Sequence, residues 1–271
     1  MTSLRESQEN WEGFARSDPL WAICTDPAKR GSNWTLEKFF ATGRREIHTV
    51  LTYLQSLGLS PDKHSSALDF GCGVGRLTAA LSGHFDECWG VDISPTMIQL
   101  AAKFHESNPR CRFLLNDTSD LRQFKDGYFG FIYSSIVLQH IQEKHVQSYL
   151  SEFIRVLKAG GILVFQIPDR DCTRWLQKIR NRVGLRRRVS RLLGRKTSDA
   201  FRMAMHCIPE SKIRQFLSSQ NLHIVDVRLT NSTDGNFNGN LQFLDHEPQH
   251  GFVSKQYCVI KSDKGKDADR L

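Results

Sequence analysis

The sequence predicts an α/β fold built on a seven-stranded, mostly parallel sheet whose last strand is antiparallel. Three observations lead there. Five short apolar runs (SALDFG, CWGVDI, CRFLLN, GFIYSSI and GILVFQIP) are separated by stretches with helical periodicity. Each run is nearly continuous in apolar residues, the pattern of strands buried on both faces with helices packed outside. Two further runs, LHIVDVRL (222–229) and FVSKQYCVI (252–260), are joined by a loop without a helix, so they pair as antiparallel neighbours.

In chain order, residues 1–34 mix Trp11, Phe14, Trp21 and Trp34 with Pro19 and Pro27. This composition reads as an ordered arm with short turns. A helix follows from Thr35, its N-cap, through Phe39, Ile47, Val50 and Leu54 to Gly58, with Gly43 as a candidate break into two pieces. Helical stretches at 76–84, 95–105 and 142–157 lie between the strands, and another at 210–220 precedes the sixth strand. The organisation expected is an arm with helices at 1–58, a core at 59–261 with a helical insert at 170–208, and a charged, frayed tail at 262–271.

Ligands of open α/β sheets sit at the carboxyl ends of the strands, so the residues just after each strand matter most. The first strand runs into Asp69-Phe70-Gly71-Cys72-Gly73-Val74-Gly75-Arg76. Its glycines permit a tight turn and close approach of a ligand to the backbone. A dinucleotide loop would place its third glycine at position 76; here Gly75 gives GxGxG and Arg76 follows. No GK[ST] of a phosphate-binding loop is present. Asp69 at the strand end would repel a pyrophosphate and suits an ammonium group. Asp92, after the second strand, suits paired ribose hydroxyls. Asp117, after the third, suits an adenine amino group.

Taken together, these stretches resemble the class I S-adenosylmethionine-dependent methyltransferases, over roughly residues 66–168. ALDFGCGVGRLT is similar to their first motif, VDIS to the ribose motif, LNDTSDL to the adenine motif, and FGFIYSSIVLQHI and RVLKAGGILVFQIP to the two that follow. The resemblance implies a Rossmann-like sheet with the seventh strand inserted between the fifth and sixth, and S-adenosyl-L-methionine as cofactor. It implies Gly71, Gly73 and Gly75 against the cofactor and Asp69 near its amino group. Asp92 and Ile93 would stand at the ribose, Asp117 and Thr118 at the adenine, and Ser134 on the fourth-strand motif. An arginine on the preceding helix often meets the cofactor carboxylate in this family, which makes Arg44 the candidate. An oxidoreductase on the same sheet is the rival that GxGxG and Asp69 argue against.

Methyl transfer needs alignment and exclusion of water, plus a base where the acceptor is a hydroxyl. His140, just past the fourth strand, and His206, before the 210–220 helix, are the candidate catalytic residues. The absence of a carboxylate cluster predicts no metal. The leading segment DPLWAICTDPAKRGSNWTLEKFFATG resembles that of bacterial methyltransferases acting on glycans or secondary metabolites, which favours O-methylation of a small-molecule or glycan-type acceptor.

The net charge is +8, and one segment accounts for all of it: residues 169–202 hold twelve basic and three acidic residues. The rest is near neutral, so a nucleic-acid-binding surface over the whole chain is not implied. The insert reads as two short amphipathic helices, one with Trp175, Leu176, Ile179 and Val183 and one with Leu185, Val189, Leu192 and Leu193. Three roles compete for it: a lid that holds an acidic acceptor, a membrane-surface helix that reaches a lipid-linked one, or a contact with RNA or protein. Few aromatics accompany its arginines, which disfavours nucleic acid. The seven cysteines form no CxxC pair, no apolar run reaches 18 residues and no signal-peptide pattern opens the chain. A cytoplasmic protein, with peripheral membrane contact as an option, is the expectation.

Overall fold

A computed structural model describes residues 4–173, 203–220, 222–234 and 237–262. The expected helices of the insert, and all but the first residue of the expected tail, lie outside these residues. The arm is helical: α1 (Leu4–Ser17), α2 (Pro19–Ile23) and a 3-10 turn (Pro27–Lys29) precede α3 (Leu36–Ser56). Pro19 and Pro27 each stand at the first position of their helices, where a missing N–H costs nothing. Asp18 and Asp26 cap them through their side chains.

The core alternates β1 (Ser66–Phe70), α4 (Arg76–Leu81), β2 (Glu87–Asp92), α5 (Pro95–Phe104), β3 (Cys111–Leu115) and β4 (Phe129–Ser134). A 3-10 turn (Leu138–His140), α6 (Glu143–Val156) and β5 (Leu157–Asp171) follow. Beyond residue 202 come α7 (Glu210–Ser218), β6 (Leu222–Thr230), β7 (Phe243–Leu244) and β8 (Phe252–Lys261). The sheet order is β3-β2-β1-β4-β5-β8-β6-β7. Strands β1 to β5 are parallel, and β8 lies antiparallel between β5 and β6, as the resemblance implies. Among the described residues the sheet has eight strands, not seven. The extra strand, β7, is two residues long and pairs only with the edge of β6, too short to leave a periodic signal.

Side chains on opposite faces of the sheet feed two cores. Leu68, Ile132, Leu163 and Phe165 point to the face covered by α6 and α7, where Val146, Tyr149, Leu150, Phe153 and Val156 form a helical stripe. Their neighbours Ala67, Phe131, Tyr133 and Val164 face α3 and α4. A third cluster joins the arm to α5: Trp11, Phe14 and Ile23 pack around Ala15, Phe39, Val74 and Met97.

Helix α3 runs unbroken through Gly43. The glycine there serves contact, not a break: a Cβ would meet the Arg76 carbonyl oxygen at 2.3 Å, so its absence lets α3 lie against the start of α4.

Candidate functional site

The loop after β1 is held from beneath by the neighbouring strand. Gly71, Gly73 and Gly75 take left-handed φ values of 77°, 54° and 81°. The N–H groups of Gly71 and Cys72 both donate to the Val91 carbonyl, at 2.8 and 3.0 Å. Asp92 at the end of β2 accepts from the Gly73 N–H and the Ser94 N–H, each at 2.9 Å. Its second lone pairs remain for a ligand. Burial raises its pKa above the ordinary carboxylate value. A Cβ on Gly71 would lie 2.2 Å from Val137 Cγ2, so the loop also packs tightly onto the turn after β4.

One cavity opens above this loop, at the carboxyl edge of β1, β2 and β4. Gly71, Gly73, Asp92, Ile93 and His140 from the sequence expectation line it. Leu4, Ser7 and Trp11 of α1 and Ala22 and Ile23 of α2 form its outer wall. The arm is fastened there by polar contacts. Gln8 Nε2 donates to the Ile93 carbonyl at 3.1 Å, and the Glu12 carboxylate accepts from Ser94 Oγ, Thr96 N and Thr96 Oγ1 at the start of α5. Burial acts to raise the Glu12 pKa, but these hydrogen bonds outweigh it and hold the group at about 2.

Other expected residues fall elsewhere. Arg44 is exposed on α3, whose inward face is Thr42, Gly43, Glu46 and Ile47, and it does not reach the cavity. Asp69 is 1% exposed and accepts from Thr78 Oγ1 at 2.7 Å, behind the loop and not in the cavity wall. Burial pushes its pKa up to about 7, against the pull of the Thr78 hydrogen bond. Gly75 caps α4 and packs on the Phe113 ring. Ser134 is buried and ties β4 to the Phe70 carbonyl at 3.2 Å. Asp117 is exposed, and the Thr118 carbonyl serves as an internal anchor for Tyr149 Oη and Asn116 Nδ2. Asn116 and Tyr149 themselves line the cavity in their place.

The arginine that lines the cavity is Arg76. It lines the cavity at 3% exposure and pairs with Glu46, 0% exposed, at 2.8 Å. Thr42 Oγ1 accepts from its Nη1, and Tyr133 Oη donates to the other Glu46 oxygen. Its Nε–H has no hydrogen-bond partner among the described residues. A buried donor of this kind beside a cavity is a position for an anionic ligand atom.

On the opposite wall, Ser135, Ile136, Val137 and His140 come from the turn after β4. The His140 ring lies 5.0 Å from the Trp11 ring, edge on. Its Nδ1 is 2.7 Å from the Ala204 carbonyl oxygen and its Nε2 is 3.2 Å from Gln139 Nε2. Burial lowers its pKa to about 4, opposed by the Ala204 carbonyl and aided by the charge of His206. His206 is half-buried outside the cavity wall, where its backbone N–H donates to the Gln139 carbonyl at 2.7 Å.

Residues 68–165 match the family described as "Methyltransferase domain". This stretch of the chain is similar to methyltransferase domains. The loop from Gly71 to Gly75 and Asp92 lie within it. Trans-aconitate 2-methyltransferase from Enterobacter sp. is 31% identical over 141 residues, 51% of this chain and 52% of that protein. A 2-methyl-6-phytyl-1,4-hydroquinone methyltransferase from Synechocystis is 32% identical over 101 residues, covering 37% and 31%. The chain thus spans about half or less of the length of these relatives. The fold extends further than the sequence likeness. The magnesium protoporphyrin IX methyltransferase of Synechocystis, solved with bound SAH, superposes with a TM-score of 0.60 at 14% identity, over 96% of this chain and 100% of that one. A Haemonchus contortus phosphoethanolamine N-methyltransferase reaches 0.64 at 13% identity, over 97% and 50%.

Proposed function

We propose that this chain is an S-adenosylmethionine-dependent methyltransferase that methylates an oxygen of a small, acidic molecule. One observation carries the reading: a single cavity is lined by Gly71, Gly73, Asp92 and Arg76, whose buried Nε–H has no partner among the described residues. These are the groups that an amino-acid end, a ribose and a close backbone contact require, so the residues present fit the cofactor. The named relatives and the structure solved with bound SAH support it. Arg76 would hold the cofactor carboxylate, Asp92 the ribose hydroxyls, and Asn116 and Tyr149 would flank the adenine end. Bound there, S-adenosylmethionine supplies a methyl group already activated by its sulfonium.

The chain's own residues then have to align the acceptor and keep water out. Leu4 and Trp11 of α1 cover the cavity from outside. His140 takes up a proton only below about pH 4, so it is a poor base for an ordinary hydroxyl at neutrality. An acceptor oxygen that arrives as an anion needs no base. The relatives named for trans-aconitate support an acid as acceptor. So does the excess of twelve basic over three acidic residues at 169–202, most of which lie outside the described residues. A glycan- or lipid-linked acid is the second form this acceptor could take.

Labelled S-adenosylmethionine, incubated with the full chain and a panel of di- and tricarboxylic acids, tests the proposal. The expected product is a methyl ester whose label is released by mild alkali. Transfer only to neutral alcohols, amines or carbon would overturn the acidic-oxygen assignment.

A further inference from the structure

The turn that carries the acceptor-side wall is tied to an amide buried in the middle of the sheet. Gln166 on β5 is 0% exposed and lies outside the cavity wall. Its Oε1 accepts from the Ile136 N–H at 3.0 Å, and its Nε2 donates to Gln139 Oε1 at 3.2 Å and Ser254 Oγ at 2.7 Å. We propose that Gln166 is a positioning residue: through Gln139 it holds a donor against His140 Nε2, which opposes a proton there, and through Ile136 it fixes the wall that faces the acceptor.

Donor and acceptor roles orient each amide in turn. A backbone N–H can only donate, so the atom of Gln166 facing Ile136 is its oxygen. Its other end is therefore the NH₂ group, which makes the facing atom of Gln139 an oxygen as well. Gln139 then presents its own NH₂ to His140 Nε2, so that Nε2 carries a lone pair and no proton. The proton belongs on Nδ1, where the Ala204 carbonyl accepts it at 2.7 Å. Each link of the relay leaves only one arrangement for the next. A proton arriving on Nε2 would face the Gln139 donor head on, which agrees with a ring that stays neutral far below the usual histidine range.

The same amide holds a strained backbone. Ile136 has φ of 62°, a conformation costly for a β-branched residue. Its neighbour Val137 fills the space that the missing Cβ leaves at Gly71. The hydrogen bond from Ile136 to Gln166 thus anchors to β5 the same turn that packs on the glycine loop through Val137. The relay ends in the interior at Ser254, whose hydroxyl meets Thr230 Oγ1 at 2.9 Å.

The Ala204 carbonyl, which can only accept, selects the same tautomer from the Nδ1 side, and the remaining groups facing the ring select neither. Trp11 of α1 is uncharged, and His206 acts only by its charge from the chain beyond residue 202. His145 and Tyr149 of α6, Asp92 of β2 and Arg76 of α4 line the same cavity, and none is hydrogen-bonded to the imidazole.

Nitrogen-15 NMR of the imidazole in the full chain reads tautomer and titration together, with His140→Phe to assign the signal. This readout does not depend on the methyl-transfer reading. In the native protein the ring should be the neutral Nδ1–H form at pH 7. In Gln166→Leu the Gln139 amide is released, so Nε2 loses its facing donor while Nδ1–H stays on the Ala204 carbonyl. The ring should then take its proton about one pH unit higher, a tenfold change in proton affinity. Gln139→Leu, which removes the facing donor without touching Ile136, should produce the same rise. If either variant is folded and its His140 signal titrates as in the native protein, the relay is wrong. Where the methyl-transfer assay works, Gln166→Leu should lower kcat while Gln139→Leu leaves the cofactor KM unchanged.

Discussion

The two walls of the cavity are built in different ways. The cofactor-side wall is local: nearly all of it comes from the loop 71–76 and the end of β2, and backbone groups do most of the holding. The acceptor-side wall is assembled from distant segments. Trp11 comes from the arm and His140 from the turn after β4, held from behind by the Ala204 carbonyl from beyond residue 202 and, through Gln139, by Gln166 of β5. A wall made of backbone in one loop leaves a motif in the sequence. A wall made of side chains from distant segments does not. It also has more ways to vary, which is where a common cofactor site can serve different acceptors.

The comparison can be broken first at its most rigid point. Gly71→Ala puts a Cβ where Val137 already stands, on a left-handed φ of 77°. The conformation alone costs about 1–2 kcal/mol, and the overlap adds to it. Calorimetric titration with S-adenosylhomocysteine should show binding lost, and unfolding should occur at lower temperature. The buried pair behind the loop comes next. Glu46→Ala strands the Arg76 charge at 3% exposure. Breaking such a pair costs about 3–5 kcal/mol, to be read from urea unfolding. A loss below about 1 kcal/mol would mean that water reaches Arg76.

The arm is the weaker part of the assembly. Glu12→Ala removes the carboxylate that joins α1 to Ser94 and Thr96, a loss of about 1–3 kcal/mol for the groups left unsatisfied. The expected result is faster hydrogen exchange in α1 and faster release of S-adenosylhomocysteine, with the β-sheet amides unchanged. The same contact has a pH signature. The Glu12 pKa is about 2 in the folded protein against an ordinary 4.5, so its contribution is full above pH 4.5 and is lost as pH falls through about 2. Asp69 runs the other way. Its pKa is raised to about 7 from 3.8, so the stability it contributes is present below pH 3.8 and is lost as pH rises through about 7. Asp69→Asn should flatten that part of the stability curve and raise the melting temperature at pH 8, the smallest of these effects.

The sheet, its order and the antiparallel last strand were legible because burial on both faces writes continuous apolar runs. Gly71, Gly73, Asp92 and Ile93 were legible because backbone geometry at a strand end demands particular residue types. Asp69 misled because its position at the strand end says nothing of which way the carboxylate turns; Thr78, one helical turn into α4, turns it inward. Arg44 misled because both arginines flank the same glycine contact, and only packing at Gly43 shows that Arg76 is the buried one. Arg76 itself looked like the residue in place of a dinucleotide glycine, and its pairing with Glu46 spans 30 positions. Trp11, Asn116, Tyr149 and Gln166 carried no spacing signal. A lone tryptophan on an amphipathic arm hints at a covered surface, but not at which one.

The central claim is that one cavity, centred on Asp92 and the glycine loop, takes S-adenosylmethionine. Titrating S-adenosylhomocysteine into the full chain and into Asp92→Ala, side by side in a calorimeter, tests it most directly. The account predicts saturable one-to-one binding to the native chain and a loss of affinity of about a hundredfold or more in the variant, equal to about 2.7 kcal/mol. No binding to the native chain, or equal binding to a folded variant, would contradict it.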